Sequence, residues 1–331
     1  MNTETIRVHA ESSRQADQSQ NRKRTAAKRG TPTLTDRNKR NKQDKLAKRL
    51  MLPGIIVTAV ITQIPFLGTL FYSFFNWNIM RPDLGMRFNG IGNFVTILEA
   101  PEFYTVLENT VILTVASLLI CLVLGMFLAL LLNRDFFGKG FLRTLIISPF
   151  FIMPAVSGVL WKNMIFNPMF GLLAWMFKSV GLPPVDLAAN HPLSLVIYIV
   201  TWEWTPFFML VLLAGLQSVP GEIIESSMLD GATRVQQFFH IIIPHLMRYI
   251  EVAVFLGLVF ILSTFGEIYV ATQGGPGYAS TNLSYYVFRE QIQNSQYGLA
   301  SAIAVIIVIL SVACMTLLFR TLRKQFGGTL A

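Results

Sequence analysis

Six stretches of this chain are apolar for 22 to 25 residues each, at about 51–75, 111–132, 142–165, 193–216, 247–271 and 298–319. The hydrocarbon core of a bilayer is roughly 30 Å thick and is crossed by about 20 residues of helix. Lipid offers no water to backbone N–H and C=O groups, so a spanning segment must be a helix or part of a closed barrel. These stretches are too long for barrel strands and show no alternation of period two. The sequence therefore predicts an all-α membrane protein of six transmembrane helices.

Charge is scarce and unevenly placed. Only 14% of residues are charged, against about 25% in soluble domains. Residues 1–50 hold 14 of the 27 Lys and Arg but 5 of the 18 Asp and Glu, so the rest of the chain is neutral. Such a segment can be a nucleic-acid arm, but it lacks interleaved aromatics and no folded basic domain stands behind it, so no nucleic-acid partner is expected. It reads instead as a disordered cytoplasmic tail that fixes topology and touches anionic lipid, and it does not have the form of a signal peptide. The expected organisation is a basic tail over 1–50, a six-helix transmembrane domain over 51–325 and a short cytoplasmic tail over 326–331. Cys121 and Cys314 lie within apolar runs and read as packing residues. The four histidines form no ligand pattern, so no metal site is expected.

Orientation follows from basic residues near helix ends. With the N-terminus inside, the inner segments carry 22 Lys and Arg and the outer ones 5. Both termini are then cytoplasmic, and so is the loop 217–246. Phe71, Tyr72, Phe74, Phe75 and Trp77 close the first span as an interfacial belt would. Gly298, Ala300, Ser301, Ala302 and Ala304 open the last span with a small-residue face, suited to packing within the chain or to a subunit interface.

The loop 217–246 has a distinct chemistry. Ser218 and Pro220 signal a helix start, with Glu222 and Glu225 toward its positive end. Asp230-Gly231 breaks that helix, Asp230 can cap a second one, and Pro244 limits how far the second continues. Two short helices meeting at a glycine elbow, with Ile223, Ile224, Met228 and Leu229 as an apolar stripe, need a cover. The cover is a partner groove or the membrane surface.

The spacing Glu225-Ser226-Ser227, Asp230-Gly231-Ala232 and Ile241-Ile242-Ile243-Pro244 resembles the EAA loop of membrane subunits of binding-protein-dependent ABC importers. Two serines stand here in place of the usual alanines. Further stretches are similar to the sugar-permease branch of that family: Asn89 to Phe94, Glu108-Asn109-Thr110, Arg143 to Pro149 with Pro154 and Trp161, Trp202 with Pro206-Phe207, and Thr272 to Pro276. Trp202 to Phe207 and Gly275-Pro276-Gly277 followed by Thr281-Asn282-Leu283 resemble sorbitol and mannitol permeases most. The resemblance implies the type I importer permease fold, with Glu225, Ser226, Ser227, Asp230, Gly231, Ala232, Ile241 and Pro244 coupling the chain to an ATPase. It also implies an inner-membrane assembly of this chain, a second homologous permease, an ATP-binding-cassette ATPase dimer and an external solute-binding protein, importing a sugar or polyol. The sequence has no GxxxxGK[ST] phosphate loop. The expectation is a non-enzymatic subunit with no catalytic residues and no cofactor of its own, ATP and magnesium residing on the partner. An ion-gradient-driven secondary transporter is the competing class, and it favours broken helices in inverted repeats, a repeat that the six spans do not display.

Ionisable residues within spans are costly and point to function. Glu203 and Glu267, with Trp204 and Tyr269, are candidates to line the translocation pathway. The plainer reading makes the tryptophans interfacial anchors and the glutamates partners of neighbouring helices. Glu251 is expected to pair with Arg248.

Overall fold

The computed structural model describes residues 34–326. The chain divides into two units, one ending at Leu67 and one running from Gly68. Helix α1 (Leu34–Tyr72) begins well before the first apolar stretch. The expectation of a disordered tail through residue 50 is therefore corrected over 34–50. That segment contains neither Gly nor Pro and is rich in Lys, Arg and Leu, all good helix formers able to propagate a helix nucleated by the apolar stretch behind them. Residues 1–33, where the rest of that tail falls, and 327–331 lie outside the described residues.

Among the described residues, five helices are long and apolar enough to cross a membrane: Met51–Tyr72, Pro101–Leu132, Pro192–Gln217, Arg234–Leu262 and Tyr297–Leu317. The stretch expected as a straight third span is bent by 97° between Lys139–Phe151 and Pro154–Ile165. Proline causes the bend. Pro154 drives Met153 out of the helical region, leaving Ile152 and Met153 extended, and Pro149 sits in the tighter turn Ser148–Phe151 just before them. The fifth stretch is also divided, because its helix ends at Leu262 and a separate short helix covers Gly266–Ala271.

From Gly68 onward the elements run as follows. A two-stranded ribbon, β1 (Phe75–Asn76) with β2 (Arg87–Phe88), pairs Phe75 with Phe88. Then come α2 (Gly92–Glu99), α3 (Pro101–Leu132), α4 (Lys139–Ile147), α5 (Pro154–Val159), α6 (Leu172–Ser179) and α7 (Leu187–Asn190). They are followed by α8 (Pro192–Gln217), α9 (Gly221–Leu229), α10 (Arg234–Gln237), α11 (Ile243–Leu262), α12 (Gly266–Ala271), α13 (Leu283–Phe288) and α14 (Tyr297–Phe326).

The core is the seam between α3 and α8. An added Cβ at Gly125 would lie 2.7 Å from Phe208 Cβ and 2.9 Å from Met209 N, so the two backbones meet there. One turn earlier on α3 and two turns earlier on α8, the Cys121 thiol donates to the Thr201 carbonyl at 3.7 Å. Contacts that advance together on both chains mean that α3 and α8 run parallel. Leu113, Leu118, Val196, Val200 and Phe208 fill the space between them, joined by Ala253 and Ile261 of α11.

The loop after α12 is tied down by side-chain amides. Asn109 of α3 donates to the Tyr278 and Thr281 carbonyls at 2.7 and 3.2 Å. Thr110 accepts from the Leu283 N–H at 2.9 Å. Asn282 caps α13 through the Tyr285 N–H at 2.8 Å and donates to the Thr264 carbonyl at 2.6 Å. Asn93 likewise holds the turn after α1, donating to the Ser73 and Phe75 carbonyls at 2.9 Å each. The small-residue face of α14 packs within the chain, with Gly298 against the Phe75 carbonyl and Ala300 and Ala302 buried.

Candidate functional site

The loop 217–246 folds as an elbow. Helix α9 ends with Asp230 as its C-cap, and Gly231 follows at φ 79°. The Gly231 N–H donates to the Met228 carbonyl at 3.1 Å and the Ala232 N–H to the Ser227 carbonyl at 2.9 Å. This is the Schellman arrangement, in which the residue after the cap takes the left-handed conformation that glycine adopts at no steric cost.

Asp230 therefore closes α9 and does not cap the second helix. Thr233 does: the Gln236 N–H donates to Thr233 Oγ1 at 3.3 Å, and the Thr233 N–H donates to Gln236 Oε1 at 2.8 Å. That reciprocal box was legible in the Thr-x-x-Gln spacing, a signal hidden behind the stronger Asp-Gly pair. Ser218 is the C-cap of α8, and Pro220 takes the N-cap position of α9. Pro244 does not end the second helix. It sits in the first turn of α11, behind a widened turn over Phe238–Ile242 that contains Ile241. Widening spares the chain the clash that proline makes with the preceding turn.

Around the elbow Glu225, Ser226 and Asp230 are exposed, Ala232 and Ile241 are half-buried, and Ser227 turns toward the second arm. Ile223, Met228, Leu229 and Val235 lie exposed on the same loop, Leu229 at 90%. Nothing within the described chain covers that apolar surface.

A second candidate site lies inside the bundle. Glu203 of α8 and Glu267 of α12 are buried, 4% and 3% exposed. Both converge on α5. Ser157 stands beside the Glu203 carboxyl, while an added Cβ at the adjacent Gly158 would lie 3.4 Å from the Glu267 carbonyl. Among the described residues neither carboxyl is in an ion pair, and Glu203 Oε2 has no hydrogen-bond partner. The hydroxyls of Thr114, Ser117, Thr201 and Thr264 are buried and equally unpartnered. Unpaired polar groups cost free energy in an interior, so this arrangement marks a place held for something other than stability.

The two aromatic candidates sit on the same helices, α8 and α12, among other rings. Trp204 is packed among Phe150, Phe207 and Phe260, at ring distances of 5.5, 6.0 and 4.9 Å. Tyr269 is 47% exposed and stacks on Phe265 at 5.7 Å. Arg248 and Glu251 form no ion pair. No group of three or more His, Cys, Asp or Glu that could hold a metal occurs among the described residues.

A bundle of apolar helices with a broken span, an interior of unpaired polar groups and an uncovered elbow between two spans has the form of a multi-pass membrane transport subunit. Residues 121–327 match the family model described as binding-protein-dependent transport system inner membrane component. The chain belongs to that family. It is 33% identical over 272 residues to the trehalose/maltose transport system permease protein MalF of Thermococcus litoralis, covering 81% of this chain and 90% of that protein. It is 32% identical over 283 residues to the sn-glycerol-3-phosphate transport system permease protein UgpA of Agrobacterium fabrum, covering 83% and 94%. A bacterial ABC transporter that imports the acidic polysaccharide alginate shares its fold, with TM-score 0.73 and 24% identity over 86% of this chain and 98% of that one. The fold is that of the type I ABC importer permease. Like its family, the chain is a permease of the inner membrane, not an enzyme, and carries no cofactor; nucleotide acts on the partner ATPase.

Proposed function

We propose that this chain is the permease subunit of an ATP-driven, binding-protein-dependent importer of a sugar or polyol, sorbitol or mannitol in kind. It pairs with a second, homologous permease. An ATPase dimer docks on the cytoplasmic side at Glu225, Ser226, Ser227, Asp230, Gly231, Ala232, Ile241 and Pro244, and a solute-binding protein delivers from outside. Residues 51–325 form the transmembrane domain, with both termini inside. The observation that carries the reading is the glycine elbow with its uncovered apolar residues, on a loop whose spacing is that of the family's coupling loop.

Glu203, Trp204, Glu267 and Tyr269 line the translocation pathway in this reading. Two unpaired buried carboxyls suit a neutral polyhydroxylated solute, because each can accept hydrogen bonds from hydroxyls while aromatic faces cover the C–H surface. A relative named for trehalose/maltose supports that solute class. The test is sorbitol-stimulated ATP hydrolysis by the reconstituted transporter carrying Glu203→Gln or Glu267→Gln. Loss of stimulation at unchanged basal hydrolysis is expected. Full stimulation and transport in both variants would remove these residues from the pathway.

A further inference from the structure

Ser227 stands where the family pattern has alanine, and its hydroxyl has two partners. It donates to the Ile224 carbonyl at 2.7 Å and accepts from Gln237 Nε2 at 2.9 Å. Gln237 is the last residue of α10, is 5% exposed and lies across the Gly231 elbow. One hydrogen bond thus ties the two arms together. Helix α10 runs through the widened turn Phe238–Ile242 into α11 as one helical stretch, Arg234–Leu262, so this bond joins α9 to the head of that span.

A second tie closes the base of the loop. Ser218, at the end of α8, donates to the Gly215 carbonyl at 2.7 Å and accepts from Tyr249 at 3.0 Å. The His245 Nε2 lies 2.9 Å from the same oxygen. Tyr249 and His245 both belong to α11. Gly215 makes the approach possible, since an added Cβ there would lie 2.7 Å from Tyr249 Cγ.

Resting on the reading of this loop as the ATPase-docking element, we propose that Ser227 and Gln237 are positioning residues that hold α9 and α10 at a fixed angle. A push on the elbow then reaches α8 and α11 together, through the Ser218–Tyr249–His245 tie, and is not absorbed by bending at Gly231. The bond gives the buried Gln237 amide its side-chain acceptor, so removing the Ser227 hydroxyl strands that amide, while Ser227 without Gln237 still donates to the Ile224 carbonyl.

The test uses the permease pair assembled with its ATPase subunits in nanodiscs and MgATP as the probe. Two quantities are measured: the affinity of the ATPase for the permeases, and the factor by which assembly changes its hydrolysis rate. Gln237→Met is expected to cut that factor at least about threefold with affinity within about twofold, Ser227→Ala to cut the factor by as much, and the double variant to lose no more of it than either single one. Ser227→Thr, which keeps the hydroxyl, should stay near wild type, and Tyr249→Phe should show the same split as Gln237→Met. An unchanged factor in Ser227→Ala, losses that multiply in the double variant, or full recovery in it overturns the brace. A wild-type pair that binds no ATPase overturns the docking reading itself and the brace with it.

Discussion

Replacing Gly231 separates the conformational account of the elbow from a purely steric one. Gly231 sits at φ 79°, and a Cβ added there meets nothing within 4 Å. The cost of any side chain is therefore backbone strain, about 1–2 kcal/mol for an ordinary L-residue in the left-handed region, and less for asparagine, which tolerates it. On two-state arithmetic, 1–2 kcal/mol is roughly a 5- to 30-fold loss in the population of the closed elbow. The assay is titration of the ATPase onto the permease pair in nanodiscs, together with ATP-dependent uptake of sorbitol, for Gly231→Asn, Gly231→Ala and Gly231→Leu. Asparagine should be the mildest although it is larger than alanine, and leucine should uncouple transport from hydrolysis. An order that follows side-chain size, with asparagine worse than alanine, would refute the argument from φ, and full activity of Gly231→Leu would refute the elbow as a whole.

Gly125→Ala places a Cβ 2.9 Å from the Met209 backbone nitrogen; overpacking of this kind costs about 1–3 kcal/mol and should lower the thermal midpoint without touching the loop. Thr233→Ala removes the capping box of α10, worth about 1 kcal/mol, and should speed amide hydrogen exchange over residues 234–242 while leaving α9 unchanged. Asn109→Leu strands the Tyr278 and Thr281 carbonyls at about 1–3 kcal/mol each if they stay buried, and should raise the rate of trypsin cleavage at Arg289.

The apolar stretches and the elbow were legible because each follows from a local rule: span length for the helices, and Gly at the residue after the cap for the elbow. What the sequence hid was non-local. The Thr-x-x-Gln spacing offers Thr233 as the cap and Asp230 offers a second, and only the left-handed turn at Gly231 decides between them. The third stretch reads as one apolar span, and its composition does not show the 97° bend at Pro154. Glu203 and Glu267 were visible as charges in apolar runs. Their convergence on α5 depends on how three helices pack, and Trp204 turned out to be held by Phe150 and Phe260, far from it in sequence.

Those two chain breaks and the polar interior are one feature. An added Cβ at Gly266 would sit 3.0 Å from Pro154 Cβ, so the start of α12 abuts the start of α5 at the bend. Ending a helix inside a membrane frees backbone carbonyls that lipid cannot satisfy. Here the Thr264 carbonyl is taken by Asn282 and the Leu262 carbonyl by Ser284, at 2.6 and 3.1 Å. The loop that carries Thr281-Asn282-Leu283 thus stabilises the break that places Glu267 beside α5. An unbroken α11 would carry residue 267 onward along the helix axis and would not bring it against the Gly158 backbone. The Thr281-Asn282-Leu283 motif and the buried carboxyl are therefore constrained together: Asn282 keeps its partners only if α11 stops at Leu262, and Glu267 keeps its place only if Asn282 holds that stop.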